Sequence, residues 1–329
     1  MVQSTLKRFI VSAAALALAA GVAQAAEKVR VGLLKFGTVN WEVDTIIHEG
    51  FDKANGIELE VVKLAGNDAT RIALQSGDVD IIVSDWLYVA RQRADGDMLT
   101  FVPYSTSVGA IMVPCDAGFK TLPDLKGKKI GVAGGPIDKS WLMIRGLAEG
   151  KYGFDLKGET EQAFGAPPLL AEKTKQGELD ANLNFWHYNA RLEAAGYCPL
   201  VSAQDAAKSL GAEGDISAIG YVFSEDWAKQ NKDAALGFVK ASREAKKLLG
   251  SSDEAWSRIR PMMKADDEKV FDTLKARYRE GIPARPIADE ESDTSKVYDY
   301  LARVGGEKLV GKAKTMPAGT FWSELKNGS

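Results

Sequence analysis

Three observations predict an α/β fold built as two related lobes, each a parallel sheet, joined by two hinge strands. Short apolar strands alternate with helical periods in two successive rounds, the order that gives parallel sheets covered by helices. The second round matches the first when the chain is shifted by one hundred positions, and two extended segments, Tyr104 to Val113 and Asp215 to Val222, are placed to cross between the rounds.

The first round opens with the apolar strand Val29 to Leu33 and the turn-rich Lys35-Phe-Gly-Thr-Val-Asn40. A helix is expected from Trp41 to Ala54, with Ile46, Ile47, Gly50 and Phe51 on one face, stopped by Asn55-Gly56. Ile57 to Val62 alternates as a strand, Gly66-Asn-Asp68 leads a helix to Gln75, and Gly77-Asp-Val-Asp80 turns into the buried run Ile81-Ile-Val83. The second round runs from the strand Lys128 to Ala133 through Gly134-Gly-Pro136 into a helix carrying Trp141, Leu142, Ile144 and Leu147. A strand from Thr160 to Phe164, a helix from Pro168 to Gln176, the turn Gly177-Glu-Leu-Asp180 and the strand Ala181 to Asn184 complete it.

The one-hundred shift places Trp41 on Trp141, Glu49-Gly50 on Glu149-Gly150, Gly77 on Gly177, Asp80 on Asp180 and Trp86 on Trp186. Tyr88, Ala90, Arg91, Ala94 and Gly96 meet the same residue types at 188, 190, 191, 194 and 196. Shared core patterning accounts for Gly and Ala coincidences, but two tryptophan pairs in a chain with only seven tryptophans point to an internal duplication. Solenoid repeats have periods of about 20 to 50 residues, so two copies of this length mean paired lobes. After the second crossing, helical periods over 225–249, 252–263 and 266–280 return to the first lobe. Gly281 to Ser292, with two prolines and an acidic cluster, reads as a loop before a final helix from Thr294 to Val304. The expected division is therefore 1–25 as a leader, 26–108 as the first part of lobe one, 109–216 as lobe two, and 217–329 as the return to lobe one.

The leader is a secretory signal peptide: Lys7-Arg8 precede an apolar stretch from Phe9 to Ala23, closed by Ala23-Gln24-Ala25, with cleavage after Ala25. The stretch is shorter than the ~20 residues of a spanning helix, so no membrane insertion is expected after cleavage. Its Ala-rich character suits export to a bacterial periplasm. There Cys115 and Cys198, the only cysteines, would either pair as a disulfide or stay buried as small residues.

Composition narrows the chemistry. The 42 Lys and Arg against 45 Asp and Glu form no polybasic field for nucleic acid. Two His and two Cys leave little for a zinc site or a His-based triad, no cofactor is indicated, and no nucleophile–base arrangement stands out. Gly131-Val-Ala-Gly-Gly lacks the third glycine of a dinucleotide fingerprint. Catalysis is the least favoured class.

In open parallel sheets, ligands sit beyond the carboxyl ends of the strands, where helix N-termini present unpaired N–H groups. Six loops occupy those places and would line one cleft if the lobes face each other. Lobe one offers Phe36 to Thr38, Gly66 with Asn67 and Asp68, and Ser84 with Asp85 and Trp86; lobe two offers Gly134 to Asp138 including Gly135, Gly165-Ala166, and Phe185 with Trp186 and His187. Trp86 and Trp186 each follow the third strand of a lobe and are expected to contact a bound organic molecule from opposite walls, against the alternative that each packs beneath its own helix. Trp41 and Trp141 lie within helices and read as core. Asp85 favours a ligand with an amine, while Asp68 and Asp138 stand where helix caps stand. Gly134-Gly135 favours an anionic group held by backbone N–H groups, and a zwitterion satisfies both. His187 is either a hydrogen-bond donor to ligand or a residue of the helix start.

These residues resemble a known family, the periplasmic substrate-binding proteins of the taurine, alkanesulfonate and thiamine-precursor ABC importers. Gly66 to Asp80 looks like that family's helix ending in Leu-x-x-Gly-x-x-Asp, and Thr121 to Val132 contains its Asp-Leu-Lys-Gly-Lys entry to the second lobe. Gln176-Gly-Glu-Leu-Asp-Ala181 before Trp186 completes the pattern, which extends from Val29 to Tyr221. The chain departs from the sulfonate binders at Pro136-Ile-Asp138, where they tend to carry small hydroxyl residues. The resemblance implies the two-lobed periplasmic binding-protein fold of type II, a monomer that closes on an amine-bearing, zwitterionic or sulfonate-like molecule and docks to a membrane permease. The alternative is an accessory protein that uses the same fold to hold a partner such as a secreted dehydrogenase.

Overall fold

The computed structural model describes residues 26–327 except residue 266; the expected signal peptide therefore lies outside the described residues. Lobe one begins with β1 (Glu27–Leu34), α1 (Val39–Glu49), α2 (Phe51–Ala54), β2 (Ile57–Leu64), α3 (Asn67–Ser76), β3 (Ile81–Ser84), α4 (Trp86–Asp95) and β4 (Leu99–Ser105). The chain then crosses to β5 (Ala110–Pro114), β6 (Lys129–Ala133), α5 (Lys139–Tyr152), β7 (Glu161–Gly165), α6 (Pro167–Lys175), β8 (Ala181–Asn184), α7 (Trp186–Ala194), β9 (Tyr197–Ser202) and α8 (Ala203–Ser209). It returns through β10 (Ile219–Ser224) to α9 (Glu225–Gln230), α10 (Lys232–Ser251), α11 (Asp253–Met263), α12 (Glu268–Glu280) and α13 (Ile287–Val310).

The two sheets have strand orders β2-β1-β3-β10-β4 and β7-β6-β8-β5-β9. Position by position they correspond, so the duplication read from the one-hundred shift has a topological counterpart. The sheets are mixed rather than purely parallel. In lobe one the returning β10 inserts antiparallel between β3 and β4, and in lobe two the entering β5 takes the equivalent slot between β8 and β9. Each hinge strand thereby becomes an interior strand of the lobe it enters.

The repeated residues hold repeated local structure. Gly77 and Gly177 both have φ of +75°, the left-handed turn that glycine adopts without a Cβ penalty. Asp80 then accepts the Arg30 backbone N–H at 2.8 Å, and Asp180 accepts that of Lys129 at 2.8 Å. In each lobe this carboxylate pins the third strand to the first.

Two elements differ from expectation. Gly50, at φ +69°, bonds its N–H to the carbonyls of Ile46 and Ile47, ending α1 and redirecting the chain into the short α2 instead of one helix to Ala54. The Gly281–Ser292 segment is a loop only to Pro286. From Ile287 the chain is helical, with Asp289 and Glu290 in the first turn, where carboxylates complement the helix dipole, and with an interruption at Gly306. The acidic cluster thus starts a helix, and two carboxylates of that helix are buried: Glu290 accepts Ser217 N–H at 2.6 Å, and Asp293 accepts the N–H groups of Glu213 and Gly214. The second crossing is held down by α13.

Lobe one also encloses a charged knot. Glu42 of α1, fully buried, accepts hydrogen bonds from the Tyr221 and Tyr278 hydroxyls at 2.8 and 3.0 Å, from Ser242 at 2.6 Å and from the Lys246 ammonium at 2.5 Å. One carboxylate so ties α1, β10, α10 and α12 together. In lobe two, Cys115 and Cys198 are joined by a disulfide with their Cα atoms 5.0 Å apart, across the β5–β9 pair.

Candidate functional site

The strands of both lobes end at the faces where the lobes meet, and side chains from opposite lobes meet there, two of the meetings at helix starts that follow those strands. At the first, the Lys139 ammonium at the start of α5 lies 3.6 Å from the Asp85 carboxylate at the start of α4. At the second, the ring of Trp186 at the start of α7 stands edge-on to Trp41 of α1, with centroids 6.1 Å apart at 88°. Trp41 in turn meets Trp256 and Tyr278, so one aromatic cluster runs from lobe two into the core of lobe one.

Asp85 caps α4 by accepting the Tyr88 N–H at 2.8 Å. Burial would raise its pKa, but the charge of Lys139, the Tyr88 N–H, Arg91 and Arg71 outweigh burial and hold it below the usual carboxylate range. Asp138 caps α5 through the N–H groups of Ser140 and Trp141, at 2.9 and 3.1 Å. Here burial prevails over Lys139 and these N–H groups, and with the nearby Asp85 charge it pushes the carboxyl above its ordinary value. The two carboxyls thus differ in affinity for a proton, and Lys139 sits beside both.

The expected site residues fall in different surroundings. Asp85, Asp138, Trp186 and His187 belong to or adjoin the two bridges. Phe36 and Phe185 are exposed on their loops, and Asn67 and Asp68 are exposed in the first turn of α3; the Lys264 ammonium lies 4.7 Å over the Phe36 ring, and Asp68 caps nothing. Gly134 and Gly135 both have positive φ, and a Cβ on Gly134 would collide with the Asp138 carboxylate, so the loop closes tightly on its own cap. Thr38 is buried at the start of α1 and Ser84 ends β3 half-buried.

Trp86 requires correction. It is 1% exposed, packs against Tyr298 of α13, and donates its indole N–H to the Ser217 carbonyl at 3.0 Å. Although it is the sequence counterpart of Trp186, it anchors the second crossing instead of facing a ligand. The reason is asymmetry: α13 covers this part of lobe one. The aromatic that meets Trp186 across the gap is Trp41, placed by sequence in the core and buried there. His187 is pushed down to about 4 by burial, with Arg191 adding to the effect, so its imidazole is neutral near pH 7.

Arg71, Tyr88 and Lys139 also stand beside Asp85, with little in the sequence to mark them. Lys139 directly follows the cap Asp138, and Arg71 stands one turn after Asp68; in both cases the neighbouring carboxylate was the available signal. On one flank the lobes are clasped by Arg277, which holds both oxygens of Glu193 at 2.9 and 2.6 Å, and by Arg191, which donates to the carbonyls of Met263 and Lys264. Among the described residues no helix is long and apolar enough to cross a membrane.

The model of the family described as NMT1/THI5 like matches residues 47–252, more than half of the chain. Among curated proteins none matches the chain significantly. Solved structures share the two-lobed periplasmic binding-protein fold. The periplasmic aliphatic sulphonate binding protein SsuA of Escherichia coli matches with a TM-score of 0.68 at 17% identity, over 88% of this chain and 92% of that one. The alkanesulfonate-binding protein SsuA of Xanthomonas axonopodis pv. citri, bound to MOPS, matches at 0.63 and 16% identity, over 90% and 98%. An ABC transporter protein of Parabacteroides distasonis matches at 0.67 and 11% identity, over 89% and 98%.

Proposed function

Because the chain belongs to the NMT1/THI5-like family, we propose that it is a periplasmic solute-binding protein that captures a small organic molecule between its lobes and presents it to the permease of an ABC importer. The observation that carries this reading is the meeting of helix starts from opposite lobes, where Asp85, Lys139 and Asp138 set charge at one end of the cleft and Trp41 with Trp186 set aromatic surface at the other. A molecule with an ionic head and an apolar body suits both ends. The names of the sulfonate-binding structural relatives support the same class of cargo. Closure around a solute that bridges two lobes follows from differential binding to the closed arrangement.

Native mass spectrometry of the freshly purified mature chain tests this. A retained small molecule, released on unfolding and bound more weakly by Trp186→Ala, is the expected result. An empty chain that co-purifies with a partner protein, such as a secreted dehydrogenase, would favour the accessory role and overturn solute import.

A further inference from the structure

In lobe one, near the Asp85–Lys139 bridge, two side chains keep buried polar atoms without a hydrogen-bond partner. Tyr88 is 3% exposed and its hydroxyl has no hydrogen-bond partner. The Arg71 guanidinium lies over the Tyr88 ring, 4.4 Å from its centroid, and its buried Nε likewise has no hydrogen-bond partner. Its nearest carboxylate, Asp68, is 3.9 Å away and almost fully exposed to water, where an ion pair contributes little. The other nearby carboxylate, Asp85, is already engaged by the Tyr88 N–H and by Lys139. A buried donor left unmade costs about 1–3 kcal/mol, more for a charged group. A chain tolerates two such donors side by side most readily where something else completes them.

We infer that Arg71 and Tyr88 form a subsite for the acidic group of the solute, a sulfonate or a carboxylate, held by the guanidinium and the phenol hydroxyl. This rests on the reading of the cleft as a solute site and names one of its ends. The guanidinium fork matches the paired oxygens of either group, and stacking on Tyr88 fixes the plane of that fork. An amine on the same solute then competes with Lys139 for Asp85 and Asp138, so a small zwitterion fills both halves.

The test titrates the full mature chain with sodium methanesulfonate, with sodium acetate and with sodium chloride, following the Arg71 and Tyr88 backbone amides and the Arg71 Nε–H by nuclear magnetic resonance. Saturable shifts with one or both organic anions, absent with chloride, are expected, and the ratio of the two affinities tells sulfonate from carboxylate. Arg71→Gln and Tyr88→Phe, with circular dichroism unchanged, weaken the anion at least tenfold. No saturable shift in the wild type, or equal affinity in wild type and Arg71→Gln, overturns the inference. The two readings fail separately: an empty chain in the mass spectrum with saturable anion binding here removes import and keeps the subsite, whereas a retained solute indifferent to Arg71→Gln removes the subsite and keeps import.

Discussion

Trp86 and Trp186 occupy equivalent positions in the duplication, yet the structure assigns them opposite consequences on truncation. Trp86 is enclosed, contacts Tyr298 and supplies the only side-chain hydrogen bond described for the Ser217 carbonyl. Replacing a buried Trp by Ala costs about 3–5 kcal/mol through lost transfer energy and the cavity left behind. Trp86→Phe keeps most of the apolar volume but strands that carbonyl, for about 1–3 kcal/mol. Trp186 is only half-buried, and its contact with the other lobe is the edge-to-face pair with Trp41, the kind of pair that contributes about 0.5–1.5 kcal/mol; its other ring contact, His187, is its neighbour in the chain. In urea, with a slope of about 3 kcal/mol/M for a chain of this size, Trp86→Ala should lower the unfolding midpoint of lobe one by about 1 M or more. Trp186→Ala should lower it by less than about 0.5 M while weakening solute binding by about 1–3 kcal/mol, the scale of a hot-spot aromatic. Equal midpoint losses in the two Ala variants would refute the assignment, as would full solute affinity in Trp186→Ala.

The buried Glu42 offers a second prediction. Glu42→Gln leaves the Lys246 ammonium without its counter-charge and should destabilise the protein by about 3–5 kcal/mol, and adding Lys246→Met should recover more than half of that loss by the same urea measurement. His187 gives a pH dependence. Its folded pKa lies below the unfolded value, so the unfolded chain binds the extra proton between about pH 6.5 and 4, and stability falls as pH drops through that window, by at most ~3 kcal/mol. Melting temperatures across pH 4 to 7 should fall more steeply in the wild type than in His187→Gln; parallel curves would exclude the residue as the source.

Much of the fold was legible because its signals are local. Gly77 with Asp80, and Gly177 with Asp180, mark a turn and a strand clamp that a short window contains completely. The antiparallel insertion of β10 was not legible, since nothing within Ile219–Ser224 states which strands will flank it. The site was harder still. Sequence equivalence between Trp86 and Trp186 suggested equal environments, but Trp86 is enclosed by α13, some two hundred residues away, whereas Trp186 stands edge-on to Trp41 of the other lobe. Asp138 was legible as a cap because caps are local, whereas Asp68, placed by the same signal, caps nothing, and Asp85, read as a group for a ligand amine, caps α4. Lys139, the shared neighbour of Asp85 and Asp138, and the Arg71 guanidinium, with its buried Nε unbonded, gain meaning only from the opposite lobe and from burial, which no periodicity records.

The side-chain amide of Gln204 donates to the carbonyls of both Thr106 and Ile216, at 2.7 and 2.8 Å, so the chain leaves lobe one and re-enters it at almost the same point. Lobe two is therefore one uninterrupted insertion, complete in its own sheet. The order of synthesis then opposes the order of folding. When the whole of lobe two has emerged, lobe one still has a vacant slot between β3 and β4, with two apolar strand edges awaiting β10 and then α13. The lobe that is begun first is finished last, and until then it is the half of the molecule that needs protection from unwanted pairing.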